Sequence, residues 1–100
     1  MNSETWIKPE LVPYDDYRTE TGWRWLLDDD AHAWFYVAGR YYFLFPEMSP
    51  FRFGLCYGED SITGNFPRWK FKSIDEFLNE PMFEGKSILE HLPDILGWDP

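Results

Sequence analysis

Residues 26–46 read LLDDDAHAWFYVAGRYYFLFP, and this stretch decides the fold because three aspartates lead into two runs of aromatic and aliphatic side chains. In a β-strand, successive side chains point to opposite faces. One face of the two runs then carries Phe35, Val37, Tyr42 and Leu44, and the other carries Trp34, Tyr36, Tyr41 and Phe43. Gly39 and Arg40 separate the runs, and glycine readily adopts the positive φ of a tight turn. The stretch therefore predicts a β-hairpin of residues 34–38 and 41–45 that is apolar on both faces.

Three other segments alternate with the same period of two, which predicts strands at residues 23–27, 51–57 and 69–71. In the first of them, Trp23, Trp25 and Leu27 form the apolar phase. The aspartates at 28–30 then end this strand, because aspartate favours turns over strands. We therefore expect the three aspartates to form one end of a hairpin.

Two short helices are predicted after the strands, because the chain twice shows a serine followed three residues later by a glutamate. These pairs are Ser73 with Glu76 and Ser87 with Glu90, and each fits the capping box that opens a helix. The sequence thus predicts an α+β fold, with an antiparallel sheet of about five strands in residues 22–72 and two short C-terminal helices packed on one face. All of residues 1–100 form one domain, with an irregular arm at 1–20 and a helical tail at 73–97.

The composition excludes several classes of protein. With 44% hydrophobic and 21% aromatic residues, the chain can form a packed core and is not disordered. Acidic residues outnumber basic ones 18 to 9, and the net charge of −9 disfavours nucleic acid and anionic membrane surfaces as partners. One cysteine allows no internal disulfide, and the opening residues lack the apolar region of a signal peptide. We therefore expect a cytoplasmic protein.

No catalytic constellation is visible in the sequence. His32 and His91 have no second histidine or cysteine at ligand spacing, so a zinc site is not predicted. Cys56 shares its strand phase with Arg52 but has no partner that identifies it as a nucleophile, and a small buried thiol is the expectation. The aspartates at 28–30 lack the glycine and glutamate of a calcium loop. We predict that the chain is not an enzyme and uses no cofactor and no metal.

Charge is distributed unevenly along the chain. The tail from residue 73 carries Asp75, Glu76, Glu80, Glu84, Glu90, Asp94 and Asp99 against the single base Lys86. Such asymmetry marks either a surface for a basic partner or ordinary solvated helix faces. Five bases fall on the polar phase of the predicted strands: Arg24, Arg52, Arg68, Lys70 and Lys72. They form either a cationic sheet face or a set of side chains that pair with nearby acids.

The segment FKSIDEFLNEPMFEGKSILEHLPDI at residues 71–95 resembles the strand-to-helix tail of small acidic bacterial immunity proteins, which neutralise polymorphic or contact-delivered toxins. The resemblance covers about a quarter of the chain. It implies a dedicated inhibitor that binds one cognate toxin and often covers its active site with acidic and aromatic groups. It assigns no residue by position.

Independently of that resemblance, strong negative charge and surplus aromatic residues suit binding to a basic protein. We therefore predict a protein-binding inhibitor, and the residues predicted to bind the partner are Asp28, Asp29, Asp30, Tyr36, Tyr42, Glu80, Glu84 and Glu90. The alternatives are a small-molecule-binding module with an aromatic pocket and a phage-type inhibitor of a nucleic-acid enzyme. The pattern also allows a homodimer through the aromatic hairpin.

Overall fold

The computed structural model describes residues 8–64 and 67–98, and within them the chain forms an antiparallel sheet and several helices. The strands are β1 (Ala33–Val37), β2 (Arg40–Pro46), β3 (Phe53–Tyr57), β4 (Trp69–Phe71) and β5 (Leu96–Gly97). The α-helices are α1 (Glu20–Asp28), α2 (Asp60–Thr63) and α3 (Ile74–Asn79), and the 3-10 helices are Asp15–Tyr17 and Ile88–Asp94. The predicted α+β class with a five-stranded antiparallel sheet is confirmed.

The strands lie in the order β4-β3-β2-β1-β5, and every pair of neighbours is antiparallel. Phe35 lies opposite Tyr42 in the central hairpin, and Tyr42 lies opposite Tyr57 on β3. Because directly opposed residues share a face, the register separates the strand residues into two sets. The predicted division of the hairpin residues between two faces is confirmed.

One face of the sheet, called here the inner face, packs against helices. Its aromatic residues include Phe35, Tyr42 and Phe71, all of which are buried. The indole of Trp23 on α1 contacts the ring of Phe35 edge to face, with the ring centroids 5.1 Å apart. On α3, the ring of Phe77 contacts the ring of Phe71 in the same way, at 5.3 Å. Edge-to-face pairs of this kind add to the stability given by burial alone.

The opposite face, called here the outer face, is also rich in aromatic rings. Its strand positions are Trp34 and Tyr36 on β1, Tyr41, Phe43 and Phe45 on β2, Gly54 and Cys56 on β3, Lys70 on β4 and Leu96 on β5. None of these strand residues is acidic, although the chain carries 18 acidic residues. No residue of the five strands is acidic, so the acidic side chains of the described residues lie on the helices and the connections.

The prediction of a strand at residues 23–27 is wrong, because this segment belongs to helix α1. Thr19 is the N-cap, and its hydroxyl oxygen accepts a hydrogen bond from the Gly22 amide at 3.0 Å. Trp23 and Leu27 are buried one turn apart, which is helical spacing. Alternating tryptophans imitated a strand, but the tertiary contacts of one helix face override that pattern.

The predicted helical tail at 73–97 is also corrected in part. Its first helix is α3, and Ser73 accepts a hydrogen bond from the Glu76 amide as the capping box requires. Its second helix begins after Ser87, whose amide donates to the Glu90 carboxylate at 2.9 Å, but it is a 3-10 helix. Leu96 and Gly97 then form strand β5 on the edge of β1. A two-residue strand has no periodicity, so only its pairing identifies it.

The predicted irregular arm at 1–20 is described from Lys8 onward, and residues 1–7 lie outside the described part. Val12 and Gly97 exchange two backbone hydrogen bonds, of 2.9 and 2.8 Å, at the edge of β5. The side chain of Arg18 donates to the carbonyl oxygen of Ile95 at 2.9 Å. The N-terminal segment is therefore joined to the last strand of the sheet.

The turn of the central hairpin consists of Ala38 and Gly39, one residue earlier than predicted. Ala38 has a φ of 52° and Gly39 a φ of 79°, so both residues are left-handed. Alanine is strained in this region, whereas asparagine tolerates it and the pair Asn-Gly is favoured in such turns. We expect Ala38→Asn to raise the free energy of unfolding by about 0.5–1 kcal/mol in urea titrations. Gly39→Ala is the control, and it should lower stability; equal effects would contradict the strain argument.

Candidate protein-binding surface

The C-terminal end of α1 presents an exposed tryptophan beside the three aspartates. Trp23 and Leu27 point into the core, whereas the side chain of Trp25 is 65% exposed. Asp28 and Asp29 follow Trp25 by three and four residues, which places them on the same side of the helix. Carboxylates and a large apolar ring are thus adjacent on one surface.

The connection between β2 and β3 joins this surface through Arg52. A guanidinium nitrogen of Arg52 donates to the carbonyl oxygens of Leu27 and Asp28, at 3.5 Å each. The same guanidinium lies 3.4 Å from the carboxylate of Asp30 and 3.8 Å from that of Asp28. A cation at this position is favourable because the C-terminal end of a helix carries partial negative charge.

The same connection carries Met48, whose side chain is 80% exposed. Its neighbour Glu47 donates a backbone hydrogen bond to the carbonyl oxygen of Arg52, so Met48 lies in the loop whose Arg52 side chain reaches the end of α1. We call the set formed by Trp25, Asp28, Asp29, Asp30 and Met48 the acidic corner. An exposed tryptophan bordered by carboxylates, on a helix that Arg52 links to the loop with Met48, is an arrangement suited to binding a partner of opposite charge.

The structure separates the two tyrosines that the sequence placed in one site. Tyr36 lies half-buried on the outer face, and its ring contacts that of Tyr41 edge to face at 5.0 Å. Tyr42 lies on the inner face in the core, where burial raises the pKa of its hydroxyl to about 12. Because a sheet divides them, the two rings cannot line one pocket, and Tyr42 is not available to a protein partner.

The three glutamates predicted to bind a partner are exposed but lie on other elements than the acidic corner. Glu80 ends α3, and Glu84 occupies a tight turn with a φ of 58°. Glu90 opens the second 3-10 helix, where its carboxylate accepts the Ser87 amide. They contribute to the negative field of the molecule, and the aspartates at 28–30 are the predicted residues that adjoin exposed apolar groups.

The five bases predicted on sheet strands do not form a cationic face. Arg24 lies on α1, where it pairs with Glu20 at 2.9 Å and with Asp75 of α3 at 2.8 Å. Arg52 pairs with the aspartates of the acidic corner, and Arg68 pairs with Asp60. The ammonium groups of Lys70 and Lys72 lie 5.1 and 5.9 Å from the ring of Phe51. The alternative prediction, that these side chains pair with nearby acids, is confirmed for the three arginines.

Asp60 is a buried carboxylate that the sequence analysis missed. It is 3% exposed, accepts the Tyr57 amide at 2.9 Å, and accepts two hydrogen bonds from the guanidinium of Arg68. Its hydrogen bonds with Arg68 hold the pKa of the Asp60 carboxyl below its ordinary value. Two guanidinium groups lie over the ring of Tyr57, that of Arg40 at 3.6 Å and that of Arg68 at 4.7 Å from the ring centroid. The cluster fixes the connection between β3 and β4.

We expect Asp60→Asn to lower the free energy of unfolding by about 2 kcal/mol at pH 7, because hydrogen bonds to a charged group are lost. Since the folded-state pKa is depressed, the contribution of Asp60 is present above the unfolded value of about 3.9 and is lost as pH falls below it. Urea titrations from pH 7 to pH 3 should therefore show the difference between wild type and variant narrowing. A difference that stays constant down to pH 3 would contradict this role.

The structure also places the cysteine and the two histidines that the sequence offered as candidates for chemistry. Burial raises the pKa of the Cys56 thiol to about 12, so this group is protonated at neutral pH. A ring nitrogen of His91 lies 2.8 Å from the carbonyl oxygen of Phe83, and the ring of His32 stacks on Phe43. Within residues 8–64 and 67–98, no group of three or more metal-ligating side chains could hold a metal ion. In the same ranges, no helix has the length and apolar character needed to cross a membrane.

No family model matches the chain, and no similar protein is found among curated proteins or among solved structures. The resemblance of residues 71–95 to immunity proteins therefore stays a prediction.

Trp25 and Met48 were missed as candidate binding residues for an identifiable reason. The strand assignment placed Trp25 in the core with Trp23, whereas helical spacing places the two on different sides. Thr19 before an acidic residue is the available signal, because this pair is typical of a helix start. Met48 carried no signal of a binding role beyond its place in a loop.

Proposed function

We propose that this protein is a protein-binding inhibitor of the immunity type, and that it binds a basic partner protein through the acidic corner. The observation that carries the proposal is the exposure of Trp25 on the same side of α1 as Asp28 and Asp29. Tryptophan is enriched at the centres of protein interfaces, so an exposed indole bordered by carboxylates suits contact with a partner protein. The carboxylates beside it specify the charge of that partner.

The apolar part of the corner would supply most of the binding energy. Tryptophan is among the residues most enriched at binding hot spots, where truncation costs about 2 kcal/mol or more. Met48 adds a flexible apolar side chain that can adapt to the surface of a partner. Both side chains lie at the molecular surface, and neither belongs to the buried core.

The charged part of the corner would raise the rate of association with the partner and select for a basic one. A net charge of −9 attracts a basic protein from a distance, and the aspartates direct it to the end of α1. Glu80, Glu84 and Glu90 would act through this longer-range field. Exposed charges are screened within about 8 Å at physiological salt, so association should slow as salt rises. An inhibitor of this kind, without a disulfide, would act in the cytoplasm.

The experiment is affinity capture from lysate of the source cell, at low and at high salt, with three tagged proteins. These are the wild type, Trp25→Ala and Ile62→Ala. Ile62 is the matched control, because it is also an exposed apolar residue but lies on α2, which follows the opposite end of β3 from the loop with Met48. Neither substitution removes a core side chain, so all three proteins should fold alike.

The proposal predicts a stoichiometric basic protein that wild type and Ile62→Ala retain, that salt releases, and that Trp25→Ala binds at least tenfold more weakly. If the captured protein is a toxin, co-expression with the wild type should protect cells from it. Equal capture by Trp25→Ala and wild type, or capture that salt does not affect, would overturn the proposal. A wild-type sample that captures no protein would do so as well.

A further inference from the structure

Arg52 is held more loosely than the other paired arginines of the described chain. Its contacts with the carboxylates of Asp28 and Asp30 and with two carbonyl oxygens all measure 3.4–3.8 Å. By contrast, the ion pairs of Arg24 with Asp75 and of Arg40 with Glu59 measure 2.8 and 3.0 Å. Charge-assisted hydrogen bonds are normally about 2.7–2.9 Å long. The end of α1 therefore binds a guanidinium, but without close contacts.

The oxygen atoms around Arg52 show which chemical group this end of the helix accepts. Two carboxylates and two backbone carbonyls surround one planar cation, and all of them are acceptors. Guanidinium presents five donors in a fixed fork, which suits several acceptors at once better than a lysine ammonium does. The side chain of Arg52 is itself 37% exposed, so a partner can reach the same oxygens from solvent.

From this geometry we infer that an arginine of the partner protein displaces Arg52 from the aspartates and the carbonyl end of α1. The inference rests on the proposed function, because it names the partner group that the acidic corner binds. An incoming guanidinium gains the oxygens that Arg52 leaves and can also stack on the exposed indole of Trp25. Arg52 loses little by moving into solvent, since its contacts are long and partly exposed.

Arg52 consequently acts as an internal competitor for the partner. It neutralises part of the acidic corner in the free protein, which lowers the affinity for stray cations. A partner can replace Arg52 with a gain in binding free energy only if it offers a guanidinium. It must also offer an apolar side chain that covers Trp25 or Met48. The corner then selects arginine over lysine, although both carry one positive charge.

The test uses short peptides of defined sequence, so it does not depend on capture of a partner. Blocked peptides Arg-Gly-Arg and Lys-Gly-Lys are titrated at low salt into 15N-labelled wild type, Arg52→Gln and Arg40→Gln. Arg40→Gln is the matched control, because it also removes one paired arginine and makes the same change in net charge. It does so at the turn end of the central hairpin, away from the loop with Met48. The spectra also report whether each variant is folded.

We expect Arg-Gly-Arg to shift the amide signals of residues 28–30 and the indole signal of Trp25. It should bind Arg52→Gln at least threefold more tightly than Arg40→Gln, and Lys-Gly-Lys should show a smaller preference. A second variant, Arg52→Lys, keeps the charge and removes the fork, so its affinity for Arg-Gly-Arg should lie between wild type and Arg52→Gln. This variant covers the case in which Arg52→Gln loosens the end of α1.

Equal affinities of Arg52→Gln and Arg40→Gln for Arg-Gly-Arg would overturn the inference, as would signal shifts confined to other parts of the chain. The two proposals can fail separately. If Arg52→Gln binds the peptide more tightly but Trp25→Ala captures the partner as well as wild type does, the arginine exchange is supported and the proposed inhibitor function is overturned. If Trp25→Ala loses capture but Arg52→Gln gains no affinity for the peptide, the proposed function is supported and the arginine exchange is overturned.

Discussion

Replacing Trp23 with alanine is expected to lower the free energy of unfolding by about 4 kcal/mol, which is typical for removal of a buried aromatic ring. Trp23 is fully buried and makes ring contacts with Tyr17, Phe35 and Phe77. Its indole nitrogen also donates to the carbonyl oxygen of Tyr17 at 2.9 Å. The substitution thus creates a cavity between α1, α3 and the sheet and leaves one buried acceptor without its donor.

Urea unfolding followed by circular dichroism measures this effect, and Trp25→Ala is the matched control. The two tryptophans are two residues apart on the same helix, but only Trp23 lies in the core. We expect Trp25→Ala to change the free energy of unfolding by less than about 0.5 kcal/mol. Similar losses for both variants would mean that α1 does not pack as described. A folded Trp25→Ala protein is also what the binding experiment requires.

Replacing Gly97 with alanine is expected to cost about 3 kcal/mol, because overpacking of a filled core forces side chains and backbone apart. A Cβ atom on Gly97 would overlap the ring carbons of Tyr17. The ring is buried and packs against Trp23, while the backbone of Gly97 is held by β1 and by Val12. Neither side can move without breaking hydrogen bonds or leaving a void.

A double-mutant cycle separates this clash from a general weakness of alanine in strand β5. In a Tyr17→Ala background the ring is absent, so Gly97→Ala should then cost less than about 1 kcal/mol. The difference between the two backgrounds, taken from thermal or urea unfolding, measures the steric conflict. A cost that is the same in both backgrounds would assign the loss to the strand and not to Tyr17.

The central hairpin was predictable because its signals agree at every level. Alternation gave the faces of β1 and β2 correctly, and a glycine marked the turn. The error of one residue at Ala38 arose because alanine is an unusual choice for a left-handed position. The two serine-to-glutamate pairs also located helix starts correctly, since capping depends on side chains a few residues apart.

Helix α1 was not predictable from alternation. Trp23, Trp25 and Leu27 fit the period of a strand, and Trp23 and Leu27 also fit the spacing of one helix face. The decision between the two depends on contacts with Phe35 and Phe77, which are distant in sequence. The acidic corner was not predictable for the same reason, because only the helix places Trp25 in solvent. Asp60 was likewise hidden, since its burial results from pairing with Arg68 across a connection.

The two backbone hydrogen bonds between Val12 and Gly97 affect how the chain folds during synthesis. Ribosomes synthesise the N-terminal part first, so Val12 and Tyr17 emerge well before their partners on β5 exist. Until residue 97 has been added, the free edge of β1 can pair with strands of other chains. Contacts between distant residues also form slowly. We therefore expect the edge of β1 to be protected from aggregation only after residues 96 and 97 have been synthesised and have docked on it.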